Sequence, residues 1–171
     1  MTGLYHTFYN ILTTVEQYST CKLFKSGALL LDGEKIKSNV VDVLVIGYRG
    51  TPSGWPHCQD DVRFHDYEIS AISNIFIQAL LHNVPLNGNI IISTRPPTLD
   101  EIIKLDETKV ALVLYKEDEV TPRFNEISKY VNIKIRKMSE YVSKYDEQFP
   151  SYQLKNRYIY LSHETRNSHT L

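Results

Sequence analysis

The order of apolar segments along this chain predicts an α/β fold, with a mixed five-stranded sheet covered by helices on both faces. Three observations support this prediction. The longest apolar runs have the length of a strand, segments with helical spacing separate most of them, and turn residues punctuate the sequence. An opening hairpin followed by alternating helices and strands is typical of a mixed sheet in a three-layer αβα arrangement.

The first third of the chain predicts one helix and one hairpin. Apolar residues recur at helical spacing over residues 5–18. A short apolar run at 27–31 stops at Asp32-Gly33, a strong turn pair, and a second run covers 40–46. We therefore expect two paired strands joined across residues 32–39.

The remaining two thirds alternate between the two element types. A loop rich in glycine and proline covers residues 47–56, where regular structure is disfavoured. The predicted elements after it are a helix at 69–80, a strand at 90–92, a helix at 98–105, a strand at 110–115, a helix at 122–130 and a strand at 131–135.

Length and composition predict one domain in an intracellular, cytoplasmic protein. The chain has 171 residues, a net charge of −1 and two cysteines. This charge gives no support for a nucleic-acid partner, and apolar runs of strand length do not predict a membrane span. Two cysteines are too few for a disulfide framework. We assign residues 1–138 to the domain and 139–171 to a partly helical extension that packs on the domain or on a partner.

Four segments carry a family resemblance in collinear order. Their family patterns are "STC…VGA", "GYNGxPxG…DD", "HAELNAI" and "T..PCxxC". The matching segments are Ser19-Thr20-Cys21 with Gly27-Ala28, residues 47–54 with Asp60-Asp61, residues 66–72, and residues 94–101. Over residues 5–138 the chain thus resembles the dCMP/cytidine deaminase family, which implies the cytidine deaminase-like fold.

The resemblance also implies a catalytic centre, and this chain lacks its ligands. In the family a histidine and two cysteines bind zinc, which activates a water, and a glutamate transfers protons. The aligned positions hold Asp66 for the histidine, Glu68 for the glutamate, and Thr98 and Glu101 for the cysteines. A slip by one residue would place Pro97 and Asp100 at the cysteine positions, again without a thiolate. We therefore expect no catalytic zinc, no other cofactor and no deaminase turnover.

The first functional hypothesis is a pseudoenzyme with a structural, assembly or regulatory role, in a homo-oligomer or a hetero-oligomer with another protein. The alternative is a module that binds dCMP, dCTP or dTTP. Its candidate residues are Tyr48, Arg49, Gly50 and Ser53. Arg49 replaces an asparagine that contacts the nucleotide sugar in the family. Because arginine is longer and cationic, it crowds the pocket, meets an anion such as a phosphate, or turns into solvent.

Two groups of side chains suggest other sites. Asp66, Glu68 and Glu101 would suit Mg²⁺ or Mn²⁺ if they converged, which would leave Glu68 as a vestigial proton shuttle in a residual deaminase. The simpler interpretation of Asp66 is a helix N-cap. His57, Cys58 and His65 form a second candidate cluster, at a loop where some dCMP deaminases carry an extra structural zinc. We favour a buried cysteine and two polar histidines there.

Overall fold

The computed structural model describes residues 3–38, 40–58, 62–116 and 122–141. Five helices of at least five residues, a 3₁₀ helix and five strands follow one another in these ranges. In chain order they are α1 (Gly3–Gln17), β1 (Gly27–Leu31), α2 (Gly33–Lys37), β2 (Val43–Tyr48), the 3₁₀ helix (Val62–Tyr67), α3 (Ala71–Leu81), β3 (Ile90–Ser93), α4 (Leu99–Glu107), β4 (Leu112–Tyr115), α5 (Pro122–Ile127) and β5 (Lys134–Lys137).

The five strands form one mixed sheet in the order β2-β1-β3-β4-β5. Strand β1 pairs antiparallel with β2 and with β3, whereas β3, β4 and β5 are parallel. Every residue of β1 is buried, as expected for a strand covered on both faces. The predicted mixed five-stranded sheet is confirmed.

Helices bury apolar residues on each face of this sheet. One core joins α3 and α4 to the sheet and centres on Ile75, Ile102 and Leu105, which are fully buried. The other packs Phe8, Leu12 and Val15 of α1 against the opposite face. Since side chains alternate between the faces of a strand, β1 supplies Leu30 to the first core and Leu29 and Leu31 to the second. Helices on both faces are thereby confirmed.

The connection between β1 and β2 differs from the simple turn that the sequence predicts. Asp32 is the N-cap of α2, and its side chain accepts hydrogen bonds from the backbone N–H groups of Glu34 and Lys35. A Cβ at residue 33 would lie 2.1 Å from the carbonyl oxygen of Gly88, so only glycine fits there. The turn pair was located correctly, but it begins a helix.

The last strand begins at Lys134, three residues later than predicted. The cause is Asp106 at the end of α4, whose Oδ1 accepts hydrogen bonds from the backbone N–H groups of Asn132 and Ile133. These residues are thereby held in the loop that enters the strand. Residues 138–141 are helical, whereas most of the predicted extension 139–171 and the Asp60-Asp61 pair lie outside the described residues. Within the described ranges no helix is long and apolar enough to cross a membrane.

Candidate functional site

The N-termini of α3 and α4 meet at one buried carboxylate. Ser70 caps α3, and its Oγ accepts a hydrogen bond from the N–H of Ser73 at 3.0 Å. Thr98 caps α4 in a capping box: its Oγ1 accepts from the N–H of Glu101, whose side chain accepts from the N–H of Thr98. Serine, threonine and a glutamate three residues after the cap are the residues expected at such helix starts.

Glu101 extends this capping arrangement from α4 to α3. Its Oε2 accepts the N–H of Thr98 at 2.7 Å. Its Oε1 accepts the hydroxyl of Ser70, the N–H of Ser73 at 3.1 Å and the hydroxyl of Ser73 at 2.9 Å. The residue is only 3% exposed. One negative charge therefore lies at the positive ends of two helix dipoles, where a carboxylate is stabilised.

The chemistry of these helix ends does not fit a zinc ion. The groups that contact the Glu101 carboxylate in the described part of the chain are two hydroxyls and two backbone N–H groups, all of them donors. Zinc in proteins is held by thiolate, imidazole or carboxylate ligands. Both oxygens of the Glu101 carboxylate already accept hydrogen bonds, so a metal ion at this point would have to displace the donor groups.

A second cluster contains the ligand types that the helix ends lack. Ligand atoms of Cys21, Cys58, His65 and Glu68 all lie within 4.8 Å of one another. The two sulfurs are 3.8 Å apart, and Nδ1 of His65 lies 3.5 Å from Cys21 Sγ and 3.4 Å from Glu68 Oε2. Both cysteines are buried, and the Glu68 side chain is fully buried.

Three separate parts of the chain form this cluster. Cys21 follows α1, Cys58 lies in the loop after β2, and His65 and Glu68 lie in and just after the 3₁₀ helix. Burial raises the pKa of the Cys21 thiol, and its interaction with the Glu68 carboxylate raises that pKa further. Both effects favour the protonated thiol when no cation is present to stabilise a thiolate.

The donor set fits a four-coordinate zinc site. Two sulfurs, one imidazole and one carboxylate are all zinc ligands, and structural sites use four of them. Glu68 Oε1 is buried and has no hydrogen-bond partner among the residues that the structure describes. An unpaired buried carboxylate oxygen is costly unless something occupies the position beside it, and a bound cation would satisfy it.

Comparison with known proteins gives structural matches only. No protein-family model matches the sequence, and no curated protein matches it either. The dCMP deaminase from the cyanophage S-TIM5 matches in its apo form, with a TM-score of 0.65 and 19% identity over 80% of this chain and 99% of that chain. The chain has the cytidine deaminase-like fold.

Two further deaminase structures support this fold assignment. The S-TIM5 enzyme in complex with dCMP and dUMP gives the same TM-score and identity, and 98% of its chain is covered. A diaminohydroxyphosphoribosylaminopyrimidine deaminase/5-amino-6-(5-phosphoribosylamino)uracil reductase from Thermotoga maritima matches with a TM-score of 0.52 and 16% identity. That match covers 82% of this chain and 38% of the reductase-containing chain.

The structure brings two of the predicted zinc-ligand positions together and places the third elsewhere. Thr98 and Glu101 lie together at the start of α4, where the sequence pattern put them. Asp66, by contrast, is exposed in the 3₁₀ helix, and the N-cap of α3 is Ser70, four residues later. The N-cap interpretation of Asp66 is therefore wrong, and the serine is the residue that faces Glu101.

A shift of four residues explains this difference. Four residues are about one helical turn, so the shift preserves the apolar spacing that located the helix. In the shifted register the first alanine and the asparagine of "HAELNAI" coincide with Ala71 and Asn74, whereas the register of the sequence analysis matches Glu68, Ala71 and Ile72. In that register Ser70 would stand at the histidine position and Ile72, which is 3% exposed, at the glutamate position.

The candidate ligand cluster in the loop also changes in membership. Cys58 and His65 belong to it, whereas His57 places Nδ1 2.8 Å from the hydroxyl of Thr51 and takes no part. Cys21 and Glu68 are the members that sequence reasoning missed. Cys21 lies 37 residues from Cys58, so no local spacing links the two. Glu68 does not form a three-carboxylate group with Asp66 and Glu101. Its carboxylate instead contacts Arg49 and His65.

Arg49 meets an anion, as one of the sequence-based alternatives expects, but this anion is a carboxylate of the chain itself. Its Nε donates a hydrogen bond to Glu68 Oε2 at 3.0 Å, and its side chain is 20% exposed. The guanidinium therefore points toward the cluster. The other candidates of this loop lie apart from it: Tyr48 has a partly exposed ring, the N–H of Gly50 pairs with the carbonyl of Ile69, and Ser53 is exposed.

Proposed function

We propose that this protein is a non-catalytic deaminase-like protein with a structural, assembly or regulatory role. In this proposal, Glu101 replaces the catalytic metal as the group that links α3 to α4. The Cys21, Cys58, His65 and Glu68 cluster holds a structural zinc. The observation that carries the proposal is the Glu101 carboxylate, whose two oxygens accept four hydrogen bonds from the two helix ends.

The chemistry of hydrolytic deamination supports the absence of turnover. The reaction needs a water made acidic by a metal and a carboxylate that moves its proton to the base. Ser70, Thr98 and Glu101 offer no vacant ligand for that metal, because their polar atoms bond to one another and to backbone N–H groups. Ile72 cannot carry a proton. Both requirements are therefore unmet at this point of the fold.

The second cluster supplies a different function for a metal. A zinc ion there would cross-link three parts of the chain: the segment after α1, the loop after β2 and the 3₁₀ helix. The first two lie outside the helices and strands. Structural zinc of this kind contributes directly to folding free energy, because its ligands converge only in the folded chain. Cys21, Cys58, His65 and Glu68 would hold it, with no vacant position for substrate if all four bind.

Product formation from dCMP and cytidine tests the absence of turnover. The zinc-loaded wild type and the Glu101→Gln and Glu68→Gln variants would be incubated with each substrate, and dUMP or uridine would be quantified by mass spectrometry. We expect product at the level of a protein-free blank in all three. Turnover by the wild type that disappears in Glu68→Gln would contradict the proposal and support a residual deaminase.

Nucleotide binding is the alternative, and the loop gives it little support. Arg49 already pairs with Glu68, so its charge is not free for a phosphate. The backbone N–H groups of Arg49 and Gly50 donate to the carbonyls of Ser26 and Ile69, and are unavailable to cradle an anion. Titration calorimetry with dCMP, dCTP and dTTP is expected to give no binding heat. A saturable signal with any of them would restore the alternative.

A role in assembly has support from the outer surface of α3 and α4. Ile77, Leu80 and Leu81 on α3 and Ile103 on α4 are 40–79% exposed, a concentration of apolar side chains that often marks an interface. We propose that this surface contributes to a homo-oligomer or to a hetero-oligomer. Light scattering of the wild type should give a mass above 19.8 kDa, and Leu80→Glu should lower it. A monomer at all concentrations would leave only a hetero-oligomer.

A further inference from the structure

Arg49 contacts the metal-ligand cluster from outside. Its Nε lies 3.0 Å from Glu68 Oε2, and its Nη2 lies 3.4 Å from His65 Nε2. The hydrogen bond to Oε2 leaves Oε1 available to bind an ion, because Oε1 is buried and has no hydrogen-bond partner among the described residues. Carboxylate ligands of metals in proteins are themselves held by such outer hydrogen bonds, which fix their orientation.

The charges of the cluster also indicate that Arg49 supports metal binding. Two thiolates and one carboxylate carry three negative charges, and a zinc ion cancels two of them. The guanidinium of Arg49 would cancel the third. Since the Glu68 side chain is fully buried and that of Arg49 is 20% exposed, this compensation takes place away from bulk water, where an unbalanced charge is expensive.

We infer that Arg49 is a positioning residue for metal binding by the Cys21, Cys58, His65 and Glu68 cluster. It orients Glu68 through Oε2 and neutralises the excess charge of the metal-loaded cluster. The inference rests on the proposed binding of zinc by that cluster. It also gives a reason for arginine at a loop position where the resembling family has asparagine, since asparagine carries no charge.

The contact with Glu68, rather than the one with His65, carries this role. A metal bound to His65 Nδ1 leaves Nε2 protonated, and an N–H group cannot accept a hydrogen bond from Arg49. The 3.4 Å approach of Nη2 to Nε2 therefore suits only the metal-free ring. The hydrogen bond from Nε to Glu68 is compatible with both forms.

Metal affinity in Arg49 variants tests the inference. Wild type, Arg49→Met, Arg49→Lys and Arg136→Met would be titrated with Co²⁺, followed by d–d absorption, and with Zn²⁺ in competition with a chromophoric chelator. Arg136 is a matched control, because it lies on β5 and donates to the carbonyl of Ile135. We expect affinity to fall about 10–100-fold in Arg49→Met and to stay at the wild-type value in Arg136→Met. Lysine keeps the charge without the guanidinium geometry, so Arg49→Lys should fall between.

The outcomes separate this inference from the proposal on which it rests. A wild type that binds neither ion stoichiometrically would refute the zinc site itself. If the wild type binds metal and Arg49→Met binds it with the same affinity, the inference alone is refuted. Tighter binding by Arg49→Met would also refute it, because Arg49 would then compete with the metal for Glu68. A merely structural role would lower the melting temperature of the metal-free protein and leave the affinity and the Co²⁺ spectrum unchanged. If Arg49→Met does not fold, the affinity and spectrum of Arg49→Lys decide.

Discussion

Replacing Glu101 with glutamine removes the negative charge between α3 and α4 while keeping the size of the side chain. The carboxylate accepts four hydrogen bonds in a site that is 3% exposed. An amide can keep its oxygen toward Ser70 and Ser73, but its NH₂ group then faces the N–H of Thr98. One donor therefore loses its acceptor, and both helix N-termini lose a favourable charge.

The magnitude of this effect follows from the two losses. An unsatisfied buried donor costs about 1–3 kcal/mol. Removing a charge from a helix N-terminus costs about 0.3–1 kcal/mol for each helix. Together they predict a loss of about 2–5 kcal/mol in the free energy of unfolding. For a chain of this size that loss corresponds to a decrease of roughly 4–20 °C in melting temperature.

Urea denaturation followed by circular dichroism measures this loss, provided that the m-value is unchanged. Glu107→Gln is the matched control: Glu107 is exposed at the other end of α4, and its change should stay within about 0.5 kcal/mol. A double-mutant cycle with Ser70→Ala should show a coupling of at least about 0.5 kcal/mol across the two helices. Glu101→Gln as stable as wild type, or a coupling near zero, would refute the assigned role of the carboxylate.

Three further predictions concern other parts of the chain. A chelator should lower the melting temperature of the zinc-loaded wild type and leave that of Cys58→Ser unchanged. A ligand present at about 100 times its dissociation constant adds about 2.7 kcal/mol to the free energy of unfolding, and the chelator removes this contribution. Burial, and then the charge of Glu140, raise the pKa of Tyr115 in the folded protein. The stability that this group contributes is therefore complete below the unfolded pKa of about 10 and is lost as pH rises through the folded pKa. In urea titrations at alkaline pH, Tyr115→Phe should therefore lose less stability than the wild type. Gly33→Ala should lower the melting temperature sharply, because its Cβ would meet the carbonyl of Gly88. Gly54→Ala should cost less, because no atom of the described residues lies within 4 Å of the added Cβ and the strain comes only from the positive φ.

Most of the fold could be predicted from the sequence because its signals are local. Apolar spacing located α1 and α3, and strand-length apolar runs located β1 and β3. Errors arose where a side chain from another part of the chain determines the local structure. Asp106, at the end of α4, delays the start of β5 by binding two backbone N–H groups 26 and 27 residues away.

The candidate site was harder to predict for the same reason. Thr98 and Glu101 were placed correctly, because a capping box is a local pattern. The N-cap of the partner helix was predicted four residues too early, at Asp66 and not at Ser70, since a helical periodicity fits equally well after a shift of four residues. Cys21, Glu68 and Arg49 come together only through the path of the loop between β2 and α3, which no periodicity encodes.

X-ray absorption at the zinc edge tests the central claim most directly: any metal in this deaminase-like fold binds at the cysteine cluster and not at the ends of α3 and α4. The sample would be the zinc-loaded wild type at one ion per chain. The account predicts two sulfur ligands at about 2.3 Å and two nitrogen or oxygen ligands at about 2.0–2.2 Å. A shell of oxygen and nitrogen alone would place zinc away from the cysteine cluster and contradict the account, as would a protein that retains no zinc.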